Sequence, residues 1–267
     1  MQKLYRDKDW LYVMYWTKGL STVQIAKKVG TGHTTISKWL HKFNISVRSR
    51  GEGCHLAKAN HCNLSQKAKE WIDGELLGDG HFALSSPYSA KFRYGSKYLE
   101  YINYVSDTLK SFGIEQSGKI GEEYKKKMDC YTFHYDSRDY TELLSLRKKW
   151  YPEGKKIVPR NLELTPLVLR QEYIGDGSLI HSKKYRPYIM LYTNGFPIDD
   201  VKWLVNKLKE LGFVAIRRNC NNSIYISVYS TQDFLDYIGE CPIECYQYKW
   251  RYNKRRKYEE RLRKTTH

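Results

Sequence analysis

No run of apolar residues in this 267-residue chain approaches the length that crosses a membrane, and residues 1–8 lead into no signal-peptide core. Neither a membrane protein nor a secreted one is expected; the expectation is an intracellular protein, cytoplasmic, nucleoid-associated or organellar. Cysteine is sparse and scattered, at 54, 62, 130, 220, 241 and 245. The two-pair spacing of a structural zinc site is missing, so Cys54-His55, His61-Cys62 and the Cys241/Cys245 pair read as core or loop residues with reduced thiols. Acidic side chains are also short in number, 29 against 46 Lys and Arg, which leaves a net charge of +17. That excess points to a polyanion, DNA or RNA, as partner; a merely soluble basic protein is the competing view. Disorder is excluded by 41% hydrophobic and 15% aromatic residues.

What is present begins with a compact helical stretch. Helices are expected over residues 9–18, 22–29 and 33–43, with Gly19 ending the first and Ser21 capping the second. Ala26, Gly30, Ile36 and Trp39 carry the spacing of a helix-turn-helix, and Leu20, Ile25, Val29 and Leu40 complete a small core. The third helix then exposes His33, Thr34, Ser37, Lys38, His41 and Lys42, donors suited to base edges and phosphates. An ordinary three-helix bundle is the competing view. The expected boundaries are a helix-turn-helix domain over 1–46 and a basic linker over 47–66. Arg48 and Arg50 in the linker suit a phosphate backbone or a minor groove, or simply solvent.

The rest of the chain repeats itself. Gly78-Asp79-Gly80 returns as Gly175-Asp176-Gly177, and the helical segment at 108–113 returns at 207–212. A third pair aligns 131–140 with 225–234. Each copy reads as a helix ending in Gly-Asp-Gly, a hairpin, an amphipathic helix, a second hairpin and a short helix. The expected fold is therefore α+β, with two pseudo-symmetric α-β-β-α-β-β-α subdomains over 67–160 and 161–250. A basic tail, 251–267, follows.

One Gly-Asp-Gly alone reads as a turn in which glycine supplies a positive φ. Two at equivalent positions imply more. Gly74 and Gly78 share one helix face, so the two repeat helices can pack closely and bring Asp79 and Asp176 together. Paired carboxylates stay ionised beside a cation, and hard oxygen donors favour Mg²⁺. Such an ion activates water for phosphodiester hydrolysis.

The segments at 72–80 and 169–177 resemble the two signatures of the LAGLIDADG homing endonucleases, and the segments at 155–159 and 164–167 are similar to that family's linker. The resemblance covers residues 67–250. It implies a single-chain, monomeric pseudo-dimer with two saddle-shaped sheets in the major groove of double-stranded DNA. It implies metal ligation by Asp79 and Asp176, helped by the carbonyls of Gly78 and Gly175, and double-strand cleavage leaving short 3′ overhangs. Lys156 and Lys249, placed alike after each repeat, are the candidates for supporting basic residues; solvated or phosphate-binding lysine is the alternative. The N-terminal unit resembles the accessory DNA-binding modules of some mobile-intron endonucleases. Sheet residues expected to read bases or touch phosphate are Lys91, Arg93, His181, Lys183, Lys184, Arg186, Arg217, Arg218 and Asn219. Asp73, Glu75, Arg170, Gln171 and Glu172 depart from the family's apolar helix pattern and either weaken the helix interface or face solvent. A non-catalytic binder on the same scaffold, a transcription regulator or an RNA-binding intron maturase, is the second expectation.

Overall fold

A computed structural model describes residues 3–49, 60–126, 129–181 and 186–251. The chain divides into two compact units, 1–60 and 61–267. Arg50, Lys183, Lys184 and the tail beyond 251 lie outside the described residues.

The first unit holds α1 (Lys8–Tyr12), α2 (Thr22–Val29) and α3 (His33–Lys42). Asp7 starts α1 by accepting from the Trp10 backbone N–H at 3.0 Å. The helix does not continue regularly to residue 18 as expected. Val13–Thr17 forms a wider π-turn, which lets the sequence neighbours Met14 and Tyr15 both reach the core. Ser21 and Gln24 form a reciprocal capping box at the start of α2. Gly30 turns the chain into α3 with a left-handed φ of 66°. Leu11, Ile25, Ile36 and Leu40 are fully buried, so the small core forms as the apolar spacing required.

The second unit is α+β, with two four-stranded antiparallel sheets. The first half runs α4 (Gln66–Leu77), β1 (His81–Ser86), β2 (Ser89–Ser96), α5 (Leu99–Ser111), β3 (Gly121–Lys125), β4 (Cys130–Asp136) and α6 (Thr141–Trp150). The second runs α7 (Pro166–Asp176), β5 (Gly177–Ile180), β6 (Tyr188–Leu191), α8 (Ile198–Glu210), β7 (Ala215–Arg218), β8 (Ser223–Ile226) and α9 (Thr231–Ile238). The strand orders are β1-β2-β4-β3 and β5-β6-β8-β7, the same topology twice. Each sheet packs one face on helices. Phe82, Phe92, Tyr94 and Tyr135 fill the first core, and Leu191, Ile189, Ile224 and Ile226 the second.

The third sequence pairing is out of step with this topology. Tyr94 pairs with Tyr135, and Leu191, in the matching position of the second half, pairs with Ile224. Tyr135 thus corresponds to Ile224, not to the residue after Val228. The β3–β4 hairpin is longer than the β7–β8 hairpin, so alignment by aromatic pattern slipped by an odd number of residues, which exchanges the two sheet faces.

Candidate active site

Helices α4 and α7 pack against each other where their sequences carry glycine. A Cβ on Gly74 would stand 2.6 Å from the Val168 carbonyl, and one on Gly78 would stand 3.3 Å from Gly175 Cα. Backbone meets backbone, and Asp79, in the turn after α4, is brought beside Asp176, the last residue of α7. None of the four triplet glycines has a positive φ. They are required for approach instead: a Cβ on Gly177 would collide with Tyr173 at 2.1 Å, and one on Gly80 with the Glu75 carbonyl at 2.7 Å. The turn explanation for glycine is therefore replaced by a packing one.

Asp79 is exposed and Asp176 half-buried. Burial, then the charge of Asp79, pushes the Asp176 carboxyl up to about 6. Burial raises Asp79 too, against Lys249, Lys156 and the Tyr94 hydroxyl, which pull it down. Two neighbouring carboxylates at the ends of two helices offer oxygen donors that could receive a cation. Among the described residues no group of three or more His, Cys, Asp or Glu side chains gathers here or elsewhere. The donor set fits a hard cation that keeps several waters, as Mg²⁺ does, and does not fit a closed zinc cage.

Lys156 and Lys249 both lie at this site. Lys156 Nζ donates to the carbonyls of Gly78 at 3.3 Å and Gly80 at 2.9 Å. Lys249 Nζ donates to Tyr173, Ile174 and Gly175 at 3.2, 2.6 and 3.3 Å. An ammonium has three N–H groups, so Lys249 is fully used in capping α7, while Lys156 keeps one donor free among the described residues. Burial lowers both lysines to about 8, and the two aspartates oppose the shift. Both ammoniums already occupy the Gly78 and Gly175 carbonyls proposed as metal ligands, although each oxygen has a second lone pair.

The polar departures in the two helices do not face solvent. Glu75, Gln171 and Glu172 are fully buried, and Asp73 accepts from Trp150 Nε1 at 2.8 Å. Tyr101 donates to Glu75 at 2.6 Å. Glu75 Oε2, Glu172 Oε1 and both amide atoms of Gln171 have no hydrogen-bond partner among the described residues. Burial first, and then Asp79 or Asp176, raises Glu75 and Glu172 to about 8. Tyr94 was missed from the sequence, although strand alternation puts it on the helix side of β2. Its buried hydroxyl makes no hydrogen bond within 3.5 Å among the described residues, but it stands close enough to Asp79 to favour that carboxylate, with Glu75 nearby.

The expected DNA contacts divide. His33, Thr34 and Lys38 are exposed along α3, and Ser37 is half-buried. Arg48 is no free arm: it donates to the Gly19 and Leu20 carbonyls at 3.1 and 3.3 Å and lies 4.0 Å over the Tyr15 ring. Lys91 and Arg93 lie on the face of β2 away from the helices, where Arg93 pairs with Asp136 at 2.5 Å. His181, Arg186 and Arg218 are exposed. Arg217 shares the core-facing side with its partner Ile224 and bonds Asn222 and Asn219, so it does not join the outer face. Asn219 is held in that contact.

The LAGLIDADG DNA endonuclease family matches residues 69–234. The chain is 30% identical over 207 residues to the uncharacterized protein MJ1098 of Methanocaldococcus jannaschii, covering 75% of this chain and 77% of that one. It is 26% identical over 170 residues to the cytochrome b mRNA maturase bI2 of Debaryomyces hansenii, covering 54% and 56% of the two chains. The solved structure of the homing endonuclease I-WcaI bound to its DNA recognition sequence superimposes with a TM-score of 0.60 at 18% identity, over 80% of this chain and 97% of that one. The fold is that of a homing endonuclease, and the chain belongs to the LAGLIDADG DNA endonuclease family.

Proposed function

We propose that the chain is a Mg²⁺-dependent endonuclease that cuts both strands of a specific DNA duplex as a monomer. The observation that carries this reading is the apposition of Asp79 and Asp176 across the Gly78–Gly175 contact, with a lysine on each side. Asp79 and Asp176 hold the cation. When bound, it lowers the pKa of a water nucleophile and neutralises the leaving oxygen. Lys156, with its free N–H and a pKa near 8, is protonated at neutral pH and can donate to a phosphate oxygen as charge builds on it. Lys249 holds the carboxyl end of α7 so that Asp176 keeps its place. The exposed face of α3 adds phosphate and base contacts beyond the sheets.

The test is incubation with a duplex spanning the uninterrupted form of the locus that carries the gene, with and without Mg²⁺. Mg²⁺-dependent double-strand cuts that vanish in Asp79→Asn are expected. Cutting that persists in that variant would overturn the assignment. The similarity to a cytochrome b mRNA maturase favours a second reading, binding of intron RNA on the same surface. Tight binding of the intron transcript, with no cutting of any duplex, would select it.

A further inference from the structure

The outer faces of the two sheets carry different chemistry. Strand register sorts the residues without ambiguity. In the first half, His81, Arg93 and Asp136 form one row across β1, β2 and β4, and Lys91 stands beside them. His134 lies 3.6 Å and Lys125 2.6 Å from Glu123 on the same sheet. This face is built of hydrogen-bond donors and acceptors. In the second half, the matching row is Ser178, Met190, Tyr225 and Ile216. Tyr188 opposes Ile180 in the next row, and its ring packs at a tilt against Tyr225, centroids 5.0 Å apart. Ile216 is 52% exposed and Val214 56%. Among the described residues of these strands, Arg218 is the charged side chain on this face, lying 5.5 Å over the Tyr225 ring.

An apolar sheet face of this kind must be covered by something that is itself partly apolar. The flanking positive charges of His181 (when protonated), Arg186 and Arg218 select a polyanion as the cover. In a DNA major groove, the apolar group on offer is the thymine C5-methyl. Resting on the DNA-binding reading above, we propose that the two half-sites are read by different chemistry. The β5–β8 face recognises a thymine-rich half-site through methyl contacts centred on Ile216, Tyr225 and Tyr188. The β1–β4 face reads its half-site through hydrogen bonds from Lys91, Arg93 and His134. Specificity in the first half is then set by base-edge donors and acceptors, and in the second by the count and position of methyl groups.

The test uses the full-length protein in EDTA, so that no strand is cut. Bound duplexes are selected from a randomised pool and sequenced. The thymines of each half of the selected site are then replaced by deoxyuridine, one half at a time. Binding is expected to weaken by about fourfold for each buried methyl lost in one half, and to change less than twofold in the other. In Ile216→Ala the penalty for removing methyl groups from that half should shrink. Equal penalties in both halves, no penalty in either, or a penalty undiminished in Ile216→Ala would overturn the proposal while leaving DNA binding intact. Failure to retain any duplex would overturn the DNA reading and this proposal together.

Discussion

Glu75 and Glu172 occupy the same turn of two facing helices, each four residues before an aspartate of the site, and each is fully buried with one carboxyl oxygen unpartnered among the described residues. Two ionised carboxylates here would add to the repulsion between Asp79 and Asp176. Burial pushes both up to about 8, which favours the neutral acid at pH 7.

This has a signed consequence for stability. The folded state holds protons on Glu75 and Glu172 that the unfolded state has lost above 4.5, so stability falls as pH rises from about 4.5 to 8. Asp73 and Asp176, raised to about 6, add to the decline at the lower end of that window. Each carboxyl contributes a slope of up to ~1.4 kcal/mol per pH unit. Thermal melts of Glu75→Gln and Glu172→Gln across pH 5 to 9 should be flatter than those of the parent.

Asp79→Asn or Asp176→Asn should reduce cleavage on the order of a hundredfold or more. DNA affinity should change little, because neither carboxylate contributes attraction to phosphate. Asp176→Asn should also melt at higher temperature than the parent at pH 7 without Mg²⁺, since the substitution removes a repelled, partly buried charge. A drop in melting temperature would argue against repulsion at the site.

The lysines should separate by role. Lys249→Met removes the ammonium from three carbonyls at the end of α7, of which Tyr173 alone keeps a backbone donor among the described residues, Gly177 N–H, and should cost on the order of 1–3 kcal/mol of stability. Lys156→Met removes it from two and should cost less, while slowing single-turnover cleavage at saturating DNA. Denaturant titration and single-turnover kinetics measure the two effects separately.

Gly74→Ala should destabilise the second unit by about 1–3 kcal/mol, because its Cβ has no room beside the Val168 carbonyl. Gly195→Ala, where a Cβ meets nothing within 4 Å, is the control and should be close to neutral.

In the first unit, Lys38→Ala should weaken duplex binding evenly across sequences and lower the slope of log K against log salt by about 1. Ser21→Ala removes half of the capping box and should cost about 1 kcal/mol in the stability of that unit.

Much of this was legible before any coordinates. Local signals are short-range, so Ser21, Gly30 and the apolar spacing of residues 25–40 marked two helices and the turn between them. The duplicated Gly-Asp-Gly identified the two halves and their central aspartates. Legibility ended where the answer depended on distant partners. The same alternating pattern fits two registers five residues apart, so the second hairpins were misaligned. Arg48 looked like a free basic arm because nothing nearby in sequence announces Tyr15 as its platform.

Composition, periodicity and repetition were enough to specify two α-β-β-α-β-β-α halves, a strongly basic chain and a pair of carboxylates. These follow from short-range geometry and from counting charge, which the chain carries in any conformation. Three matters needed the folded chain. One is that the triplet glycines serve backbone contact and not a left-handed turn. Another is that Lys249 spends its donors on α7 while Lys156 keeps one free. The last is that Glu75 and Glu172 lie buried behind the aspartates, where burial raises their pKa values. Each depends on which atoms from residues far apart in sequence stand within a few ångströms, and burial changes a charge only once those neighbours are in place.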